Sequence, residues 1–296
     1  MPNFAAALQL WNTRPTWKNC KNAPIGSTDR SLALPLLILV LLLSPHPVLA
    51  SPEAHACSQS LGKPLASQQP GLQRTLNLFI WNIEKSGNSG WEADLQALAG
   101  NSDLILIQEA SVQAQISGVL HRPLYGAFAA GYTTESLETG VLTLSTVEPS
   151  LQCNLTAWEP WLGTPKATNI TEYPVNGLAT RLLVINLHAV NFSVGLEEFE
   201  EQIQALAPLL HNHRGPLIVA GDFNTWSKSR MRSLERFMLN HQLFSVPFTP
   251  DLRKRIWKMP LDHVYLRGLN LISASAVKVK TSDHNPLSIT VEIPDA

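Results

Sequence analysis

The chain has no apolar run long enough to span a bilayer. Its longest apolar run, residues 32–43 (LALPLLILVLLL), has twelve residues, where a spanning helix needs about 20. It has no internal repeat and no low-complexity tract, which excludes solenoid and propeller architectures. Its three cysteines are too few for a disulfide-built scaffold. It also lacks an excess of positive charge, with 22 Lys+Arg against 23 Asp+Glu. That balance argues against a strong non-specific grip on duplex nucleic acid, which needs several unopposed cations on phosphates. It leaves room for a nuclease that uses a metal and a few local cations. What the 296 residues do have is apolar content, 45%, ample for a globular core.

The first fifty residues differ from the rest. Arg14, Lys18, Lys21 and Arg30 make the opening basic, the apolar run follows, and Ser44, Pro45 and Pro47 break it before Val48-Leu49-Ala50. This is the layout of a secretory signal peptide; retained, the same segment is a signal anchor. Cleavage after Ala50 leaves 18 Lys+Arg and 22 Asp+Glu, a formal charge of −4. It also leaves Cys57 and Cys153, which can form one disulfide in an exported protein. Ala54-His55-Ala56-Cys57 is a poor version of a lipid-attachment site. Asn154, Asn169 and Asn191 stand in N-x-S/T sequons. Residues 51–73 are polar and Pro/Gln/Ser-rich and read as a flexible lead-in. Residues 74–296 then form one α/β domain.

From 74 onward, strands and helices alternate. Strands are expected at 76–81, 103–109, 140–145, 182–187, 217–220, 261–266 and 287–293, from short apolar or alternating runs. Helical spacing predicts helices at 91–99, 196–211 and 229–239, with a short one at 111–120. In the 229–239 helix, Met231, Leu234 and Met238 face inward. Residues 126–138 read as loop, and 150–180, with Pro160, Pro165 and Pro174, as irregular.

Polar residues gather at the strand ends. Asp222 and Asn224 follow residues 217–220 at i and i+2. In an extended chain they project together and can hold a hard cation, or a water beside a phosphoryl oxygen. The same pair equally forms an Asx turn. Asn82 and Glu84 repeat the spacing after the first strand. Glu109 directly follows an apolar run, so it is either a solvent-edge carboxylate or paired with something positive such as a metal. His188 and Asn191 make a reasonable phosphate-binding pair. Asp262 opens one strand, and Asp283-His284 precede the last. Arg253-Lys254-Arg255, the one dense basic run after residue 50, is either a solvated loop or a phosphate grip.

Taken in order, WNIE (81–84), LIQE (106–109), GVLTLS (140–145), NLHAVN (186–191), GDFN (221–224), LDHV (261–264) and SDHNP (282–286) resemble the successive motifs of the endonuclease/exonuclease/phosphatase superfamily. The resemblance runs from about 74 to 295 and is similar in kind to the compact bacterial members of uncertain substrate. It implies a four-layer α/β sandwich: two packed, mostly antiparallel sheets flanked by helices, with Mg²⁺ or Mn²⁺ at one end. It casts Glu109 as principal metal carboxylate with Asn82 beside it, and Asp283 as a further metal-side acid. It casts Asp222 as the residue that orients or deprotonates the attacking water, and Asn224 as a phosphate-oxygen donor. His284 would be the final histidine with Asp262 as its partner, and His188 and Asn191 would contact the scissile phosphate.

The implied activity is an exported, metal-dependent phosphodiester hydrolase, first a nuclease, alternatively an enzyme of phospholipid head groups or small phosphate esters. A non-catalytic binding protein on the same fold is the remaining reading. The chain departs from three branches of the family. It has no long basic and aromatic DNA-entering loops, no Arg after GDFN-Thr225-Trp226, and no long apolar insertion in 150–180 despite Trp158 and Trp161.

Overall fold

The computed structural model describes residues 51–63, 70–160, 162–193 and 195–295. The expected leader at 1–50 lies outside them, as do residues 64–69 of the expected lead-in and Trp161.

In chain order the elements are α1 (Pro52–Ser60), β1 (Thr75–Asn82), α2 (Trp91–Ala99), β2 (Leu104–Ser111), α3 (Ile116–Val119), β3 (Tyr125–Thr133), β4 (Glu138–Ser145), β5 (Leu151–Glu159), β6 (Thr164–Tyr173) and β7 (Leu182–His188). Then come α4 (Glu197–Gln204), α5 (Ala207–Asn212), β8 (Leu217–Asp222), α6 (Lys228–Asn240), β9 (Phe244–Ser245), β10 (Arg255–Ile256), β11 (Met259–Pro260), β12 (Asp262–Arg267), β13 (Asn270–Ala276) and β14 (Leu287–Glu292). One six-stranded sheet runs β13-β14-β1-β2-β4-β3, and the other β5-β6-β7-β8-β12-β9. Each has a single parallel pair near its middle, β1 with β2 and β7 with β8, and is otherwise antiparallel. The four-layer α/β sandwich expected from the sequence is the fold observed.

Strand alternation builds the layers. In β1, Leu76, Leu78 and Ile80 meet Leu182, Val184, Ile218, Ala220 and Val264 of the other sheet. Phe79 and Trp81 point outward, onto Trp91 and Leu95 of α2. The outer face of the second sheet, Leu183, Ile185, Leu187 and Val219, packs under Phe199, Ile203, Leu209 and Leu234 of α4 to α6. Each inner row therefore starts apolar, and four of them end polar at the same end of the sandwich, in Asn82, Gln108, His188 and Asp222.

Several expected elements changed. Residues 126–138, read as loop, include β3, whose Gly126, Ala127, Ala129, Ala130 and Gly131 give no bulky strand signal but pair with β4. The irregular 150–180 stretch is the β5–β6 hairpin. Pro160 sits in its turn and Pro174 beyond its end, so neither removes a ladder donor. β13 was not anticipated; it is an edge strand with most of its residues exposed. The single helix at 196–211 is two, because Pro208 has no N–H to continue the hydrogen-bond ladder. In α6 the buried face is Arg230, Leu234, Phe237 and Met238, with Met231 only half-buried.

The lead-in is corrected too. Ser51 caps α1 by accepting from Ala54 N–H at 3.2 Å, and Ala54 and Cys57 are buried. The helix reads as polar because it buries only small groups. Cys57 is bonded to Cys153 of β5. Ser58 Oγ donates to Pro208 O at 3.0 Å, and Gly62 N–H donates to the buried Glu172 carboxylate at 3.0 Å. The disulfide closes a separation of 96 residues, and removing such a crosslink typically costs about 2–5 kcal/mol. Thermal unfolding of the Cys57→Ser, Cys153→Ser double variant is expected to show a clearly lower Tm than the oxidised protein, and a reductant is expected to bring the wild type to the same value.

Candidate active site

The inner rows that end polar converge on an open cleft of about 700 Å³, lined among others by Glu109, His188, Asn191, Asp222, Asn224, Asp283 and His284. Strand register sets the floor. Asp222 is the partner of His188 on one side and of Asp262 on the other, and directly paired residues share a face. Gly221 permits this, since a Cβ there would stand 2.0 Å from Leu187 O.

Glu109 arrives differently. By alternation after Gln108 it would face the outer helices. The ladder slips between Ile107 and Ala110, and Glu109 takes φ 50°, in the left-handed region. This irregularity turns its carboxylate into the cleft, where Oε1 lies 3.5 Å from Asn82 Nδ2 and Oε2 lies 3.3 Å from Lys85 Nζ. Asn82 is buried and bridges the sheets: its Nδ2 donates to Asp222 Oδ2 at 3.0 Å and its Oδ1 accepts from Glu84 N–H at 3.1 Å. Asn82 thus presents its amide nitrogen to both carboxylates.

His284 is the charged counterpart. Its Nδ1 donates to both oxygens of Asp262, at 2.9 and 3.0 Å, and its Nε2 stands 3.8 Å from Asp222 Oδ2. Burial opposes a charge on this ring, but Asp262, Asp222 and Asp283 together outweigh it and raise its pKa to about 10. The imidazole is therefore a cation at neutral pH. Trp81 Nε1 donates to His284 O at 2.9 Å, and Ser282 Oγ to Asn82 O at 2.7 Å, fixing the 282–284 turn against β1. Burial also pushes the Asp222 carboxyl above its ordinary range, while His284 pulls it back. His188 is held neutral, its pKa lowered to about 3 by burial and then by Lys166.

Asn224 resolves the two readings of the 222–224 pair. It has φ 48°, and its N–H donates to Asp222 Oδ1 at 2.9 Å, an Asx turn. Its Nδ2 donates to Ala189 O at 2.9 Å, so the amide also ties β8 to the loop after β7. Asn191 lines the same cleft. Asp283 is the outlier of the expected metal set: half exposed, with its Oδ2 bound to Lys254 Nζ at 2.8 Å. Of the basic run, Lys254 reaches the cleft, whereas Arg253 and Arg255 turn back onto Asp251.

Three residues escaped sequence reasoning. Lys166 of β6 points into the cleft, its Nζ 3.2 Å from His188 Nε2 and 3.8 Å from Glu159. Glu159, at the end of β5, is buried and accepts from Asn191 N–H at 2.7 Å and Thr164 Oγ at 2.7 Å. Alternation in 151–159 was the available signal, since every second residue there faces inward. Arg230 is fully buried; it donates to the carbonyls of Val190, Asn191 and Asn224, bracing both polar loops. Nothing in a helix pattern announces an inward arginine.

The two stacked sheets and the Asp–His, Asn–Asp and Glu clusters at one end define an α/β-sandwich protein with a polar cleft built from its strand ends. The chain belongs to the endonuclease/exonuclease/phosphatase family, whose model matches residues 80–284. It is similar to a UPF0294 protein of Vibrio vulnificus, 39% identical over 221 residues, covering 74% of this chain and 78% of that one. A UPF0294 protein of Yersinia pestis is 35% identical over 229 residues, covering 77% and 87%. Among solved structures, an endonuclease/exonuclease/phosphatase from Beutenbergia cavernae superposes with TM-score 0.57 at 15% identity, covering 74% of this chain and 72% of that one. The human nocturnin catalytic domain with bound sulfate superposes with TM-score 0.54 at 18% identity, covering 77% and 97%. At these identities the superpositions show the shared fold.

Another buried histidine beneath the site is expected to add, with His188, to the loss of stability in acid. His263 is buried, with Nε2 2.7 Å from Thr225 Oγ and 3.2 Å from Pro260 O, and burial, then Arg253, lower its pKa to about 3. The unfolded chain takes up this proton near pH 6.5, so between the two values the unfolded state binds more protons. Stability is therefore expected to fall as pH drops from about 6.5 towards 3. Tm measured across that range should decline less steeply in His263→Gln; parallel slopes in the two proteins would refute this assignment.

Proposed function

We propose that the chain is a divalent-metal-dependent phosphodiester hydrolase that cleaves nucleic acid by in-line attack of water. The observation that carries the reading is the placement of His284, its Nδ1 2.9 Å from Asp262 and its Nε2 3.8 Å from Asp222, in an open cleft. A fixed cation beside a buried carboxylate suits phosphoryl transfer, which needs charge stabilisation and a positioned water more than a protein nucleophile.

The donor set fits a hard cation. Asp222, Asp262 and His284 place ligand atoms within 4.8 Å of one another, but Asp262 is fully engaged by His284 and a protonated imidazole does not ligate a metal. Glu109, partly exposed in the cleft, would supply the oxygen ligand that Mg²⁺ or Mn²⁺ favours, and Asn82 would join it only by turning its Oδ1 away from Glu84 N–H. The bound cation would neutralise charge on the phosphate. Asp222, its basicity raised by burial, accepts the proton of the attacking water. His284 donates from Nε2 to a phosphoryl oxygen, and Asp262 keeps that ring oriented and charged. Lys166 adds a second positive group on the side of neutral His188, and Asn191 and Asn224 shape the phosphate's seat.

Export completes the proposal. The leader-like residues 1–50 motivate it, and the Cys57–Cys153 bond supports it, because structural disulfides persist in oxidising compartments.

With Mg²⁺ present, Asp222→Asn and His284→Gln are each expected to lower kcat on plasmid DNA and on bis-p-nitrophenyl phosphate by roughly 10²–10⁴-fold, with circular dichroism unchanged. Undiminished turnover in either variant would sink the mechanism. Glu109→Gln is expected to weaken the dependence of rate on Mg²⁺ concentration, and EDTA to abolish turnover; a rate indifferent to EDTA would remove the metal from the proposal.

A further inference from the structure

The β10–β11 hairpin ends in Trp257, which is 81% exposed. The two turn residues, Trp257 and Lys258, have φ 45° and 73°. Such a two-residue turn normally carries Asn or Gly, since a bulky side chain in the left-handed region is strained. The hairpin is nevertheless well held. Arg255 Nη1 donates to Lys258 O at 2.7 Å, Arg255 also pairs with Asp251, and Ile256 faces Met259 across the ladder. A rigid device thus presents an indole to solvent.

Its setting indicates the occupant. Ile256 and Lys254 line the cleft, so the turn stands directly beside the site. Trp226 backs Trp257 edge to face, with ring centroids 6.5 Å apart, and is itself held by Arg230 at 4.7 Å and by its Nε1 donating to Asn191 O at 3.4 Å. Lys258 adjoins Trp257 in the turn, and Lys254 and Arg255, paired with Asp283 and Asp251, precede it in the chain. Phe192 and Leu162, which line the cleft, are also exposed. An aromatic face beside cations matches a strand that alternates flat bases with phosphates. It matches a bilayer less well, because inserting Trp257 into hydrocarbon would carry Arg255 and Lys258 with it.

We propose that Trp257 is a stacking platform for a nucleobase of the strand whose phosphate lies in the cleft, with Lys258 beside the neighbouring phosphates. This rests on the nuclease reading above and adds a specificity-determining residue to it. Trp257 has almost no buried contacts, so its replacement leaves the fold intact.

The test uses the full chain and a fluorescently labelled oligothymidylate, with binding read by anisotropy in EDTA. Trp257→Ala is expected to raise Kd about tenfold, within the range for loss of one stacked base, and Trp257→Phe to restore most of the affinity. With Mg²⁺, KM for the oligonucleotide rises in Trp257→Ala while kcat stays at the wild-type value. Equal Kd in wild type and Trp257→Ala overturns the proposal, as does failure of the wild type to bind the oligonucleotide. It is also overturned if Trp257→Ala loses binding to phosphatidylglycerol vesicles while its oligonucleotide affinity is unchanged. Trp257-dependent binding without cleavage of any nucleic acid would uphold the platform and remove the nuclease reading instead.

Discussion

A parallel strand pair near the middle of each sheet is the constraint from which the site follows. Two parallel neighbours need a crossover, here through α2 between β1 and β2 and through α4 and α5 between β7 and β8. Their C-terminal ends therefore emerge side by side. Because the sheets stack face to face, β1, β2, β7 and β8 deliver Asn82, Glu109, His188 and Asp222 to one end. The antiparallel neighbours β12 and β14 start there, which adds Asp262 and, one turn before β14, His284. Hydrogen bonds between the sheets, Asn82 to Asp222 and His284 to Asp262, lock the two halves at the depth where the apolar rows end.

Gathering Glu109, Asp222 and Asp262 around one cleft costs electrostatic energy unless cations answer them. His284 answers Asp262 and Asp222, Lys85 answers Glu109, and Lys254 answers Asp283. His188 is held neutral first by burial, which penalises any charge on it, and then by Lys166 on its side of the cleft. Outside this ring, buried Glu159 and Arg230 hold the backbone of the Asn191 loop from two directions. Arg230 acts on the cleft through the residues it positions, whereas Glu159 also lines it.

Legibility in the sequence tracked periodicity and contiguity. Strands with dense β-branched or aliphatic runs, such as 182–187 and 217–220, were readable, as were the polar residues that end them. Strands were missed where packing rather than composition made them, as in Ala- and Gly-rich β3 and exposed β13. Lys166 and Glu159 were missed with the hairpin that carries them. α1 was read as flexible because two small apolar residues and one disulfide, not an amphipathic stripe, hold it down.

By itself the sequence determined the alternating α/β character, the strands with dense apolar runs, and the identity of the polar groups at their ends. These are local properties: side-chain period, chain punctuation and residue type. Only the tertiary structure decided which of those groups meet and in what state. The slipped register at Glu109, the left-handed Asn224, the neutral His188 and the charged His284 depend on residues tens to hundreds of positions away. Burial and neighbouring charge set a proton's affinity, and both are fixed by how the two sheets close on each other rather than by any stretch of chain.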